Sequence, residues 1–225
     1  PTFRRQRQMC IRDSTKPKRV TQQKDGIIND GAFKYEDTDP GLQFKSAYIA
    51  RRADESDRYV YDVAAYKLDR LLDLQMVPTA VITTVEGQEG ALSDWVDNSI
   101  NERDRLELKT DFTGYCKQYE QYRLRVVFDI LIHNDDRNLT NILWTKNDMM
   151  LQFIDHSLAF RSKEKRPKQY RKVTLDVSDL LRSHLSSLDE ENLNRELSPY
   201  LHPRQIGAIL VRRDLILKEA RGTSP

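Results

Sequence analysis

The sequence predicts an α+β fold in two lobes, a small β-rich amino-terminal lobe and a mainly helical carboxy-terminal one. Three observations predict it. Apolar residues in the first hundred positions fall in short runs broken by turn signals, as strands do. One stretch among them, 57–74, switches to a helical period. Beyond residue 103 the period is helical almost throughout, broken by one pair of short apolar runs that reads as a hairpin.

The strand reading starts from Asp25-Gly26, Asn29-Asp30-Gly31 and Asp39-Pro40-Gly41, three turn signals that divide residues 1–50. Between them, "GAFKYED" reads as a strand carrying Lys34. Val60, Ala64, Ala65, Leu68, Leu71 and Leu72 then form one helical stripe that stops before Val77-Pro78. Two strands follow, "TAVITTVE" and "GALSDWV", with Gly87-Gln88-Glu89-Gly90 as the expected turn. The lobes are expected to divide near residues 92–100, giving 1–95 and 96–225.

In the second part, Leu124, Val127, Phe128, Leu131 and Ile132 predict a helix that runs up to His133. A polar loop, 134–141, leads into "ILWT" and "MLQFID", joined by the turn Lys146-Asn147-Asp148. Leu180, Leu181, His184, Leu185 and Leu188 form a further stripe. Pro203 suits the first position of a last helix that ends near Gly222.

Composition narrows the function classes. With 225 residues, 32% of them charged, the net charge is only +2 and the mean hydropathy is −0.72. Global charge gives no reason to expect a nucleic-acid partner. No apolar run reaches the length of a membrane span. Cys10 and Cys116 are far apart and neither lies in a CxxC, so neither a zinc site nor a disulfide framework is implied. A reducing, cytoplasmic setting is the expectation, with room for a trimmed leader because the chain starts at Pro1 rather than Met. The charge is uneven: basic residues crowd 1–24 and again 161–172. Such runs are either solvated surface or a site for phosphate or an acidic partner.

The chemistry concentrates in residues 128–160. Asp136 and Asn141 are five apart in the loop after a helix, and Asp155 ends the second strand of the hairpin. These three can converge on one point. Phosphoryl transfer from a nucleotide needs such a point: an acid to orient and deprotonate a hydroxyl, and an Asn and a second Asp to hold Mg²⁺ against the phosphates.

This segment resembles the catalytic loop and metal-binding strand of the kinase superfamily. The resemblance is to its atypical branches: phosphatidylinositol-kinase-like enzymes, HipA-type toxin kinases and secretory-pathway kinases. "DRNLTN" stands where those families carry D-R-x-x-x-N, and "IDHS" where many carry I-D-F-G or I-D-N-G. The resemblance implies a kinase-like fold that binds ATP and Mg²⁺. Asp136 would be the catalytic acid/base, with Asn141 and Asp155 as metal ligands. Arg137 would brace the loop or touch phosphate. Lys34 in "GAFKYED" would reach the nucleotide's phosphates. Asp62 in "YVYDVAAYKLDRLL" would pair with it, where those families usually place Glu. Leu92 to Trp95 would lie near the adenine.

The chain departs from the pattern in four ways. No G-x-G-x-x-G precedes Lys34, which leaves Lys16 or the hydroxyls of Ser14 and Thr15 to meet phosphate. Asp62 is one methylene shorter than Glu. His156-Ser157 replaces Phe-Gly, and no A-P-E signature follows. Three readings therefore stand: transfer of the γ-phosphoryl group to a hydroxyl, a non-catalytic nucleotide-binding module, and AMP transfer from ATP. The acceptor stays open among protein, lipid headgroup, sugar and small molecule. A metal-dependent phosphohydrolase using His133, His156, Asp129, Asp136 and Asp155 is a further class. It lacks the His-Asp dipeptide and spaced histidines that such helical enzymes use.

Overall fold

The structure is a computed structural model that describes residues 2–5, 17–38 and 56–222. Asp39-Pro40-Gly41, Ser14, Thr15 and Lys16 lie outside the described residues.

The chain begins with β1 (Thr2–Arg5), β2 (Lys18–Lys24) and β3 (Ile27–Lys34), antiparallel neighbours in that order. Asp25-Gly26 joins β2 to β3 with both residues at positive φ, 53° and 81°, the geometry that matches strand twist in a two-residue hairpin. The sequence expects a second turn at Asn29-Asp30-Gly31; the structure instead places these residues inside β3. Cross-strand bonds decide the matter: the Asp30 carboxylate accepts the Arg19 guanidinium at 2.8 Å and 2.5 Å and the Thr21 hydroxyl at 2.6 Å. A two-residue ladder pairs β4 (Asp37–Thr38) with β5 (Asp57–Arg58).

Helix α1 (Val60–Leu71) follows. It buries seven residues, including Ala64 and Ala65 at 0% exposure. Val63 packs on Ala80 and Ala91 of the sheet, while Ala64, Ala65 and Leu68 join the large core beneath. The paired alanines let a helix be covered on two sides. Strands β6 (Ala80–Val85) and β7 (Gln88–Asp94) complete a five-stranded sheet in the order β1-β2-β3-β7-β6. Their turn is Glu86-Gly87, at φ 51° and 82°, not the four residues 87–90. Gly90 lies within β7 for a different reason. A Cβ there would come 2.2 Å from the Lys34 carbonyl oxygen and 2.7 Å from the Phe33 ring.

The chain leaves the first sheet after Asp94 and enters the second at β8 (Ser99–Asn101). The helical stretch expected from residue 103 is two helices, α2 (Glu102–Glu107) and α3 (Gln118–Leu131), with irregular chain between them. The Asn101 side chain caps α2 by accepting the Asp104 N–H at 2.9 Å. The hairpin forms where expected, as β9 (Ile142–Thr145) and β10 (Leu151–Phe153), and β9 also pairs with β8. Glu102 fixes this junction. Its carboxylate accepts the Trp144 indole N–H at 2.7 Å, the Tyr122 hydroxyl at 2.6 Å and the Arg105 guanidinium.

Residues 176–222 form the short strand β11 (Asp176–Val177), helices α4 (Asp179–Ser187), α5 (Glu190–Leu197) and α6 (Pro203–Glu219), and β12 (Arg221–Gly222), which pairs in parallel with β11. His202 and Gln205 close a capping box around Pro203. Leu181, Leu185 and Leu188 are buried, but Leu180 is 69% exposed. One residue is about 100° of helix rotation, so Leu180 faces away from the stripe. A single large core runs from α1 through α3 and the hairpin to α4, α5 and α6. A small separate cluster of Val20, Phe33, Val85 and Leu92 covers the other face of the first sheet.

Candidate active site

A cleft of about 1140 Å³ lies where the two sheets meet. Arg19, Ala32, Lys34 and Ser93 line it from the first sheet, and Asn141, Phe153 and Asp155 from the loop and hairpin. Strand alternation puts Lys34 here. Gly31 and Phe33 are buried on one face of β3, so Ala32 and Lys34 take the other.

Three parts of the chain meet at the Lys34 ammonium. Its Nζ lies 2.5 Å from Asp155 Oδ1 and 3.0 Å from Asp62 Oδ2. Gly90 permits the close strand approach that fixes this end of β3. Asp62 projects from the first turn of α1. Its other oxygen accepts the His156 backbone N–H at 2.8 Å and lies 3.3 Å from His156 Nδ1. Asp155 follows β10 with φ 62°, a left-handed conformation that Asp tolerates better than most side chains.

Electrostatics reinforce the cluster. Burial disfavours the charged Lys34, but the Asp155 and Asp62 carboxylates outweigh it and raise the ammonium above its ordinary range. Burial would raise Asp62; the Lys34 ammonium and the His156 hydrogen bonds instead hold it well below the usual carboxylate range. Burial lowers His156 against the pull of Asp62, with Arg137 adding to the lowering. One ammonium between two carboxylates leaves an excess negative charge in a cleft. With Asn141 lining the same cleft, the donors on offer are hard oxygens in a site of negative charge. That set fits a divalent cation with phosphate and water completing its shell.

The loop between α3 and β9 is held by a buried scaffold. The Arg137 side chain is fully buried, donating to Asp129 at 3.1 Å and to the carbonyls of Asn141 at 3.0 Å and Ile154 at 2.7 Å. Arg137 thus braces the loop, and it does not line the cleft. Asp129 also accepts the Tyr170 hydroxyl at 2.8 Å. Asn134 accepts the Asp136 N–H at 2.9 Å, and the Asn141 amide reaches the Asp136 carbonyl at 3.4 Å. The backbone of Asp136 is therefore tied to Asn141, while Asp136 itself does not line the cleft that Asn141 and Asp155 share.

The other expected cleft residues divide. Trp95 lines the cleft and stacks under the Arg19 guanidinium, 4.5 Å from the ring centroid. Leu92 does not: it lies on the opposite face of β7, buried with Phe33 and Val85. A one-residue step along a strand reverses the face. The histidine metal centre of a phosphohydrolase is not formed among the described residues. Asp129 is committed to Arg137 and His156 to Asp62, and among the described residues no three His, Cys, Asp or Glu side chains cluster to hold a metal. Asn134 and Tyr170 have no part in the site expected from sequence, and Asp129 and His156 enter that expectation only in the phosphohydrolase alternative. Asp129 carried a usable signal, an acid inside the apolar run Val127–Leu131, where a buried charge requires a partner. Asn134, two residues before Asp136, carried the turn signal of a side chain that accepts a backbone N–H two residues on.

Residues 76–186, just under half of the chain, match the family model described as HipA-like kinase. Two solved structures of the Golgi casein kinase, one with Mn/ADP bound, are similar over 93% of this chain and 70% of theirs, at 14% identity and TM-scores of 0.56 and 0.57. The Helicobacter pylori proinflammatory kinase CtkA aligns over 90% of this chain and 88% of its own, at 10% identity and a TM-score of 0.48. No protein of curated function matches the sequence.

Proposed function

From a chain that has the fold of the atypical kinase superfamily, we propose an ATP-dependent phosphotransferase that moves the γ-phosphoryl group to a hydroxyl acceptor. One observation carries this reading. Lys34, Asp62 and Asp155 come from three separate elements and meet at one ammonium in the cleft. An ion pair between a strand lysine and a helix acid, with a metal-binding Asp alongside, is the arrangement phosphoryl transfer requires of kinases. Asp62 reaches Lys34 without the extra methylene of Glu.

In this reading Lys34 positions the phosphates and Asp62 holds the ammonium in place. Asn141 and Asp155 are the metal ligands. Mg²⁺ bound there would neutralise charge on the phosphates. Trp95, Arg19 and Ala32 form the wall available to the base and ribose. Asp136 accepts the acceptor's proton, its backbone fixed by Asn134 and by Asn141. The Golgi casein kinase structure with Mn/ADP bound supports a nucleotide and a divalent ion in this fold.

A second reading, a nucleotide-binding module without turnover, draws on the position of Asp136 outside the cleft lining. Incubation with Mg-ATP and a mixed panel of protein, lipid and sugar acceptors separates the two. We expect ADP formation with a phosphorylated product, and Asp136→Ala should lower the rate by about 10²–10⁴-fold, as for loss of a general base. Full turnover by Asp136→Ala would overturn the assigned role. ATP-induced thermal stabilisation with no product on any acceptor would select the second reading, and an AMP-labelled product would replace phosphoryl transfer with AMP transfer.

A further inference from the structure

A second cavity, of about 380 Å³, opens beside the catalytic loop and is distinct from the nucleotide cleft. Its lining carries five cationic side chains, Lys163, Lys165, Arg166, Lys168 and Arg171, against two acids, Asp135 and Glu164. These cations belong to the basic run that the sequence leaves open between solvated surface and a phosphate site.

The structure shows the run to be built in. Arg212 is fully buried in α6 and donates to the carbonyls of Leu131 at 2.8 Å, Arg161 at 3.0 Å and Lys163 at 2.5 Å. It thereby fixes one wall of the cavity against the end of α3. Arg166 donates to the carbonyls of Tyr170 and Val173 and pairs with Glu219. The Gln169 amide donates to the Asn134 carbonyl at 3.0 Å, and Tyr170 reaches Asp129. The basic segment is therefore tied at several points to the loop that carries Asp136.

His133 provides the second, independent observation. It lines the cavity, is 3% exposed, and its Nδ1 has no hydrogen-bond partner among the described residues. Its Nε2 stands 3.7 Å from Asp135, too far for a hydrogen bond. In the tautomer that protonates Nδ1, this buried ring nitrogen, in a wall of cations, is a donor position open to an anion. Burial lowers this imidazole to about 4, with the Arg212 and Lys163 charges assisting and Asp135 and a backbone hydrogen bond at Lys165 opposing.

We infer that this cavity is a binding site for a phosphate dianion, seated among Lys165, Arg171 and His133. A dianion suits this excess of cations better than a single carboxylate. Arginine adds a planar fork that matches phosphate geometry. The volume falls at the lower end of small-ligand sites, about 300–1,000 Å³, which leaves room for the first atoms of an ester. The site does not depend on the kinase reading, since nothing in it uses Lys34, Asn141 or Asp155.

The test titrates the full chain, without nucleotide, with inorganic phosphate, O-phosphoserine and a phosphoserine peptide. Ionic strength is held constant with chloride, and the His133 ring and backbone amides are followed by NMR. We expect a saturable response confined to residues 133–135 and 162–171, and a rise in the His133 pKa. The double charge reversal Lys165→Glu/Arg171→Glu changes two exposed side chains and should weaken the response about tenfold or more, with an unchanged melting temperature. Tighter binding of O-phosphoserine or the peptide identifies an esterified phosphate as the ligand; equal binding identifies free phosphate. An equal response to chloride alone, a response that survives the charge reversal, or one centred on Lys34 and Asn141 would each overturn the assignment.

Discussion

Lys34 and Arg137 divide the work of the site at the scale of single residues. Lys34 faces the cleft between two carboxylates. The Arg137 side chain has no exposure and spends its donors on Asp129 and two carbonyls. Both are cations next to aspartates, and burial alone separates the roles. Removing one partner of a buried pair leaves an uncompensated charge, which costs about 3–5 kcal/mol. Arg137→Ala should therefore lose stability of that order in urea denaturation, and the loop it braces should open to amide exchange. A loss below about 1 kcal/mol would show that the loop is held by its backbone contacts alone. His156 follows the same logic: its backbone N–H donates to Asp62 Oδ1, and its ring, in place of an apolar one, sets Nδ1 3.3 Å from the same oxygen, fixing the acid whose short reach the sequence leaves in question.

At the scale of elements, two glycines of one hairpin make a matched comparison. Gly87 sits at φ 82° with open space around it, whereas Gly90 has backbone and ring atoms where a side chain would begin. Gly87→Ala should cost about 1 kcal/mol through left-handed strain alone and leave the cleft unaltered. Gly90→Ala should cost about 1–3 kcal/mol through overpacking. It must also push β7 from the end of β3, so the Lys34 contacts should loosen. Thermal melts rank the stabilities, and nucleotide affinity reads the second effect. Equal affinities in the two variants would sever the link between Gly90 and Lys34. Helix α1 couples the parts similarly, because one side meets the sheet and the other the large core.

At the scale of the whole molecule, buried histidines set an acid limit on stability. His133 is depressed to about 4 and His156 is depressed by burial. Both fold in the neutral form. Below the ordinary histidine value near 6.5 the unfolded chain binds the proton first, so stability falls as pH drops from about 6.5 toward 4. For His133 the upper limit is on the order of 3 kcal/mol. Asp69 opposes this trend, because burial raises its carboxyl to about 6, against hydrogen bonds from Met76 and Val77 and the charge of Arg70. The comparison of wild type with His133→Asn isolates the histidine contribution, and Asn accepts the positive φ of 48° at this position. We expect the variant's urea-unfolding free energy to decline less between pH 6.5 and 4. An identical slope would assign the acid sensitivity elsewhere.

Much of the fold follows from periodicity that the sequence displays openly. The α1 stripe, the hairpin around Lys146–Asp148, the Asp25-Gly26 turn and the Pro203 helix start are local features, set by backbone geometry and the burial of one face. The spacing of Asp136, Asn141 and Asp155 likewise marks the loop and strand end by themselves. Only the tertiary structure decided which partner each polar group takes, because those partners lie far apart along the chain. Asp30 reads as a turn residue until Arg19 and Thr21 claim it across the sheet. Leu92 reads as cleft wall until strand alternation turns it to the small core. Asp129 reads as one more acid beside the loop until Arg137 and Tyr170 fill its lone pairs. The meeting of Lys34 with an aspartate 28 residues away and another 121 away depends on β3, α1 and β10 packing together, and no local pattern encodes that distance.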